Sequence, residues 1–427
     1  MLIRRMLIGG IAALLAALAA FGLPAAKAGN PINGPFIIDD QAYPLEHPAI
    51  AYNGLHEEHL VVWCVSNAGG SIIYGRKIPK NGPMGDVFPI SGTDPSQKHC
   101  YPDVAYNIQE DSYLIVWEFN SYSGGSYDNV QGRLLYGDGS ISGDLFFDTG
   151  SSLRNRTKPR VEYGYTYNRN LVVWEAMTSG GVASDIEGQV VNSNGAKIGD
   201  NFTIALGSLK LSHDQPDLAY NVSRNEYMVV WRSYDTNDPM NPNYDIYGQL
   251  VTDIPGLSGN LVTIGYFSPP EGFPSVAALQ SPAPQSGLYL VAWQLEYEPG
   301  DNDIYATLIG GDGVVGAAVE MTGSYSYLDE TNPVVTSDPV NRRFLGLWTS
   351  NYNTSWIFTG LRGRDISADG LSGPTQWIGG SFADNAAAAP GSKGDFLIAF
   401  EDFRLGGNVD IYGSGWGNRV YLPLTIR

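Results

Sequence analysis

"NPNYDIYGQLV", residues 241–251, has close relatives at three other places in the chain: "ASDIEGQVV" from 183, "DNDIYATLI" from 301 and "NVDIYGSGW" from 408. Each follows an apolar run that ends in an aromatic residue. Those runs are "HLVVW" to Trp63, "YLIVW" to Trp117, "NLVVW" to Trp174, "YMVVW" to Trp231, "YLVAW" to Trp293, "FLGLW" to Trp348 and "FLIAF" to Phe400. Successive aromatics fall 52 to 62 residues apart, and a period this long and regular is the mark of a repeat architecture.

Every unit carries the same succession of segments. A proline-led strand comes first: "PAIAYN" from Pro48, "PDVAYN" from Pro102 and "PDLAYN" from Pro216, with looser versions at Pro159, Pro274 and Pro333. The apolar run is second, continuous rather than alternating, as in a strand buried on both faces. The Asp-Ile-Tyr-Gly strand is third. Seven residues beyond its small residue (Gly75, Gly132, Gly188, Ala306, Gly363) stand Gly82, Gly139, Gly195, Gly313 and Gly370, each preceded by Asn or Asp. Asn-Gly and Asp-Gly pairs are the chemistry of tight hairpins. A short fourth strand follows, as in "GDVF" at 85, "GDLF" at 143 and "GDNF" at 199.

Four antiparallel strands in each of seven units predict an all-β, seven-bladed β-propeller. Stacked sandwich domains need about 100 residues each and fit less well. The expected blades span about 47–91, 101–148, 158–206, 215–266, 273–323, 332–380 and 384–416, in one domain over 29–427. The seventh unit lacks its fourth strand, and "INGPFIIDD" bears the relation to Pro48 that "GDVF" bears to Pro102. Residues 32–39 are therefore expected to close the ring as the outer strand of the last blade, leaving no open edge. The C-terminal "RVYLPLTIR" is the competing candidate.

Residues 1–28 read as a secretory signal: Arg4 and Arg5, an apolar run, then Ala26-Lys27-Ala28 before Gly29. Arg4 to Ile8 also resembles a twin-arginine export signal, and a retained anchor is the alternative. The formal charge is −19 with only 16% charged residues, and loss of the leader removes Arg4, Arg5 and Lys27. An acidic surface repels phosphate backbones and anionic lipid, so nucleic acid and membrane insertion are poor partner assignments. A secreted or surface-held monomer is expected.

At the Asp position of the third strand the units read Ile72, Asn129, Asp185, Asp245, Asp303, Gly360 and Asp410. Catalysis needs one asymmetric constellation, whereas this feature is spread by repetition. The expected role is structural: a carboxylate accepting backbone N–H bonds at a strand start, with the small residue after Ile-Tyr leaving room for the neighbouring tryptophan. "FEDFRLGGNVDIYGS", Phe400 to Ser414, resembles the W-x-D-x-R-x-G-x-x-D-I-Y-G repeat of exported bacterial propeller proteins, and is more distantly similar to TolB-type propellers. The resemblance spans the seven units but has its Asp-Arg pair only at Asp402 and Arg404. It implies a fold and a compartment, and no single activity.

Candidate sites lie where loops converge on the channel. His47, His99 and His213 precede first strands, but a shared metal would require them to meet. Acidic loops of blades 4 and 5 offer Asp235, Asp238, Asp301 and Asp303, oxygen ligands suited to a structural calcium. Tyr122, Tyr127, Tyr234, Tyr244, Tyr297, Tyr352 and Trp356 offer stacking faces to a glycan or an extracellular protein. For catalysis, no Gly-x-Ser-x-Gly elbow occurs, nor the Ser-x-Asp-x-Gly-x-x-Trp box of sialidases. Glu118, Glu175 and Glu401, each directly after a second-strand aromatic, are the carboxylates a glycosidase reading would use. Cys64 and Cys100, at neighbouring blade ends in an exported chain, predict a disulfide, with two buried thiols as the alternative. The leading expectation is a rim-binding protein for a glycan or protein. The alternatives are a carbohydrate-active hydrolase or lyase working in the channel, and a structural surface protein.

Overall fold

The computed structural model describes residues 30–417, except 68, 95, 122–127, 148–153, 178–182, 209, 237–242, 253–255, 267–268, 280–286, 324–327, 353–354, 371, 380–381 and 404–407. Its strands form seven four-stranded antiparallel sheets. Blade 1 comprises β2 (Leu45–Asn53), β3 (Glu58–Asn67), β4 (Gly70–Pro79) and β5 (Val87–Pro89). Blade 2 has β6 (Gln97–Asn107), β7 (Ser112–Ser121), β8 (Asn129–Tyr136) and β9 (Leu145–Phe146). Blade 3 has β10 (Arg156–Gly164), β11 (Arg169–Met177), β12 (Ser184–Asn192) and β13 (Lys197–Ala205). Blade 4 has β14 (Leu211–Asn221), β15 (Glu226–Asp235), β16 (Tyr244–Thr252) and β17 (Gly256–Gly265). Blade 5 has β18 (Glu271–Leu279), β19 (Leu288–Glu298), β20 (Asp301–Gly310) and β21 (Val319–Glu320). Blade 6 has β22 (Leu328–Asp338), β23 (Arg343–Tyr352), β24 (Ser355–Ser367) and β25 (Gln376–Trp377). Blade 7 joins β26 (Ala383–Pro390), β27 (Phe396–Asp402) and β28 (Asp410–Gly417) to β1 (Asn30–Asp39).

The ring closes as expected. β1 runs antiparallel to β28, with Phe36 opposite Gly413 and Ile37 opposite Tyr412. No helix among the described residues is long and apolar enough to cross a membrane.

The core lies between blades rather than within them. The second-strand aromatic of each unit is buried and packs on the preceding blade: Trp117 against Leu60 and Val62 of blade 1, Phe400 against Leu345 and Leu347 of blade 6. The small residue of the third strand corrects one expectation. A Cβ at Gly75 would meet Ile90 at 2.7 Å, at Gly132 Phe147 at 2.9 Å, at Gly248 Ile264 at 2.9 Å and at Gly363 Ile378 at 2.8 Å. The room serves an apolar residue beside the fourth strand, not a tryptophan. The hairpin glycines take the positive φ that their turns demand, 82° to 105° at Gly82, Gly139, Gly195, Gly313 and Gly370.

Cys64 and Cys100 form a disulfide between blades 1 and 2, with Cα atoms 5.1 Å apart and a sequence separation of 36. Loop-closure entropy gives such a link about 3–4 kcal/mol. The Cys64→Ala/Cys100→Ala double variant should lose roughly 3 kcal/mol in denaturant unfolding; an unchanged midpoint would show that blade packing alone sets the stability.

Candidate functional site

Each first strand is bulged where it reaches the channel. The register with the second strand slips between Glu46 and Ala49, Cys100 and Asp103, Thr157 and Arg160, and at the equivalent places of the other four blades. The residue at the slip takes a left-handed conformation: His47, Tyr101, Lys158, Gln215, Phe273, Asn332 and Asn385 have φ of 44° to 56°. None is glycine, and six precede proline, so each carries a backbone cost of about 1–2 kcal/mol. Specific bonds offset it. Glu401 Oε1 accepts the His47 backbone N–H at 2.8 Å, Glu118 Oε1 that of Lys158 at 2.7 Å, and Gln215 Oε1 that of Phe273 at 2.8 Å.

That assignment settles the three glutamates. Glu118, Glu175 and Glu401 are buried; each caps a bulge of the next blade, Glu175 through the Gln215 backbone. They therefore do not aim at the rim. Cys64 occupies the same position in blade 1, so there the disulfide takes the place of the capping carboxylate.

The bulges ring a cavity of about 460 Å³ lined by all seven first strands. Its wall is asymmetric. One residue past the lead proline, blades 2, 3 and 4 present Asp103, Arg160 and Asp217, whereas blades 6 and 7 present Val334 and Ala387. Asp103 Oδ2 accepts the Val161 N–H of blade 3 and Asp217 Oδ2 the Val276 N–H of blade 5, both at 2.8 Å. Arg160 lies between them, its Nε 3.9 Å from Asp217 Oδ1. Two residues further along the same face of β10, beyond the residues that line this cavity, stands Glu162, where five other blades have alanine and blade 6 has Thr336. Burial, reinforced by Asp103 and Asp217, pushes the Glu162 carboxyl up to about 8. Burial also pushes Asp103 up to about 6, with Arg160 pulling the other way. At the mouth His47 stacks on Tyr101 with centroids 4.0 Å apart, and Phe273, 43% exposed, stands half a turn round the ring.

These raised carboxyls fix the sign of a pH effect. Asp103, Glu118, Glu162 and Glu401 titrate near 6, 7, 8 and 7 in the folded protein, above their ordinary values. The stability they confer is complete below about pH 4 and lost as pH rises through 6 to 8. The melting temperature should be higher at pH 5 than at pH 9; the reverse order would contradict these environments.

The other sequence candidates do not converge. His99 and His213 are buried beside Trp117 and Trp231, and His213 Nδ1 bonds Ser233 Oγ at 2.7 Å, while His47 is at the mouth. Tyr234 and Tyr244 meet with centroids 5.1 Å apart. Arg232 covers the Tyr244 ring at 4.5 Å while its fork binds Asp214 at 2.6 and 2.8 Å. Arg232 thus covers one face of the Tyr244 ring, and both tyrosines stay part-exposed. Tyr297 bonds the Tyr305 hydroxyl. Tyr352 and Trp356 lie in β23 and β24; Tyr122, Tyr127 and Asp238 fall outside the described residues, as does Arg404. Asp235 is exposed at the end of β15, Asp301 half-buried and Asp303 fully buried. Among the described residues the only trio of His, Cys, Asp or Glu close enough to share an ion is Glu46 with Cys64 and Cys100, whose sulfurs are bonded to each other. Sequence reasoning missed Asp103, Arg160, Glu162 and Asp217. Aligning the first strands by column would have exposed Glu162 against its alanines.

No family model matches the chain, and no curated protein matches it in sequence. Among solved structures it is similar to a GH93 α-L-arabinofuranosidase of Fusarium graminearum in complex with arabinobiose, at 12% identity and TM-score 0.51, over 90% of this chain and 97% of that one. It is also similar to a Hadza microbial sialidase, at 8% identity and TM-score 0.50, over 82% of this chain and 74% of that one. These likenesses establish the propeller fold that the chain shares with carbohydrate-active hydrolases.

Proposed function

We propose that the protein is an exported, monomeric carbohydrate-active hydrolase that takes a neutral glycan at the mouth of its central channel. The observation that carries this reading is Glu162, a carboxylic acid contributed by one blade alone and flanked by Asp103, Arg160 and Asp217. Repetition cannot account for it.

The chemistry follows from the environments. At neutral pH Glu162 holds its proton and can deliver it to a glycosidic oxygen, while an ionised aspartate of a flanking blade can draw a proton from the attacking water. Water adds across the bond and two hydroxyls result. Arg160 already faces Asp103 and Asp217, so it offers little net charge to an anionic sugar; this favours neutral glycans over uronates and hydrolysis over elimination. The His47–Tyr101 stack and Phe273 face each other across the mouth and present ring faces to a sugar. Fold likeness to an arabinofuranosidase seen with arabinobiose supports the substrate class. The leader and the likeness of Phe400–Ser414 to exported propeller repeats support the compartment.

A second reading, binding without turnover, is favoured by one observation: Asp103 and Asp217 each already hold a backbone N–H. Product analysis after incubation with arabinan and other neutral polysaccharides separates the two. Released oligosaccharides, with a rate that peaks between about pH 6 and 8, support the hydrolase; retention of polymer without cleavage supports the binder.

A further inference from the structure

Each first strand runs from the channel mouth to a hairpin at the opposite end of the ring, and those hairpins make up the far face. Their tips touch in succession from blade 6 round to blade 3. Gly394 of blade 7 abuts Asn341 of blade 6, and Ser392 of blade 7 donates to Glu57 Oε1 of blade 1 at 2.7 Å. His56 of blade 1 meets Asp111 Oδ2 of blade 2 at 2.8 Å, and Gln109 Nε2 of blade 2 donates to the Tyr165 carbonyl of blade 3 at 2.6 Å. Along this path large apolar side chains stand exposed: Val340 on blade 6, Leu55 on blade 1, Ile108 on blade 2, Tyr165 and Tyr167 on blade 3. Scattered exposed apolar residues are ordinary, whereas an arc of them on touching hairpins marks a surface that something covers.

The chain itself supplies an occupant. β28 ends at Gly417, where a Cβ would stand 3.0 Å from the Asp395 Cα of the blade 7 hairpin. The sequence therefore leaves the ring on the far face, with Val340 of blade 6 on one side and Leu55 of blade 1 on the other. Residues 418–427, "NRVYLPLTIR", lie outside the described residues and carry Val420, Leu422, Leu424 and Ile426 at every second position, the pattern of an extended segment with one apolar side. At about 3.3 Å per residue such a segment reaches about 33 Å, and packed sheets stand about 10 Å apart, so it spans about three blade steps, from blade 7 across blades 1 and 2 to blade 3. Glu110, exposed and bonded at 2.9 Å by Asn168 of blade 3, sets a carboxylate at the far end of that path, where Arg427 would arrive.

We propose that residues 418–427 dock on the far face of their own ring, laying Val420, Leu422, Leu424 and Ile426 over Leu55, Ile108 and Tyr165. The contact leaves the channel mouth free, because the mouth lies at the other end of the ring. The proposal does not depend on the channel chemistry.

Hydrogen exchange of the full chain against a chain ending at Gly417 is the test. The truncation removes none of the 28 strands, so the ring should fold. Amides of the hairpins at 54–57, 108–111 and 165–168 should exchange about tenfold faster without the segment, and a synthetic peptide of residues 418–427 should restore the slower rate. Leu55→Asp together with Ile108→Asp should abolish that rescue. Should the truncated chain fail to fold, Leu422→Asp with Leu424→Asp in the full chain provides the same comparison. Equal exchange with and without the segment overturns the proposal. So does a doubled mass in light scattering that disappears on truncation, since it would seat the segment on a second copy.

Discussion

Deleting residues 30–39 should abolish cooperative folding rather than loosen one blade. β1 supplies the fourth strand of blade 7 and pairs with β28 from Asn30 to Asp39. Ile38 is completely buried and joins Leu397, Ala399 and Ile411 with Trp63 and Val65 of blade 1, so it belongs to the junction between the last blade and the first. Phe36 covers Gly413, where a Cβ would come within 2.5 Å of its ring. Losing one buried isoleucine and most of a phenylalanine costs about 5 kcal/mol or more, the lower bound of ordinary domain stability. The bared β28 edge would then template association with other chains. Size-exclusion chromatography and far-ultraviolet melts should show aggregate and no sharp transition. A monomer melting within a few degrees of wild type would mean that the ring closes without β1.

The second large effect is expected at Glu162. Glu162→Gln keeps the volume and removes the transferable proton, so turnover should fall by about 10²–10⁴-fold while oligosaccharide affinity stays within a few-fold. Stability should hold or rise at alkaline pH, because the carboxyl that ionises near pH 8 is gone. A variant with unimpaired turnover would remove Glu162 from the chemistry. Loss of binding together with turnover would make it a recognition group.

The propeller was legible because its blades repeat the same physical requirements: a buried apolar second strand in all seven, a proline at the first-strand bulge in six and a hairpin glycine at fixed distance in five. Closure by the N-terminal strand was legible for the same reason, since the seventh unit lacks what residues 32–39 supply. The left-handed ring was not. His47, Tyr101, Lys158 and Phe273 carry no turn signature, and their conformation is imposed by acceptors on other strands, such as Glu401 more than 350 residues away. Glu118, Glu175 and Glu401 looked like site carboxylates because their position follows the aromatic; the bulge geometry that turns them into caps is invisible in one strand's sequence. Tyr234 and Tyr244 did come together, but nothing local announced that Arg232 would cover them. Glu162 was readable in principle, as the one acid in a column of five alanines and a threonine.

A crystal structure of Glu162→Gln soaked with a neutral oligosaccharide such as arabinobiose tests the channel assignment most directly. Sugar density between Phe273 and the His47–Tyr101 stack, with a glycosidic oxygen at position 162, is the expected outcome. Sugar bound instead on the rim beside Tyr234 and Tyr244, with the channel holding only solvent, would contradict it.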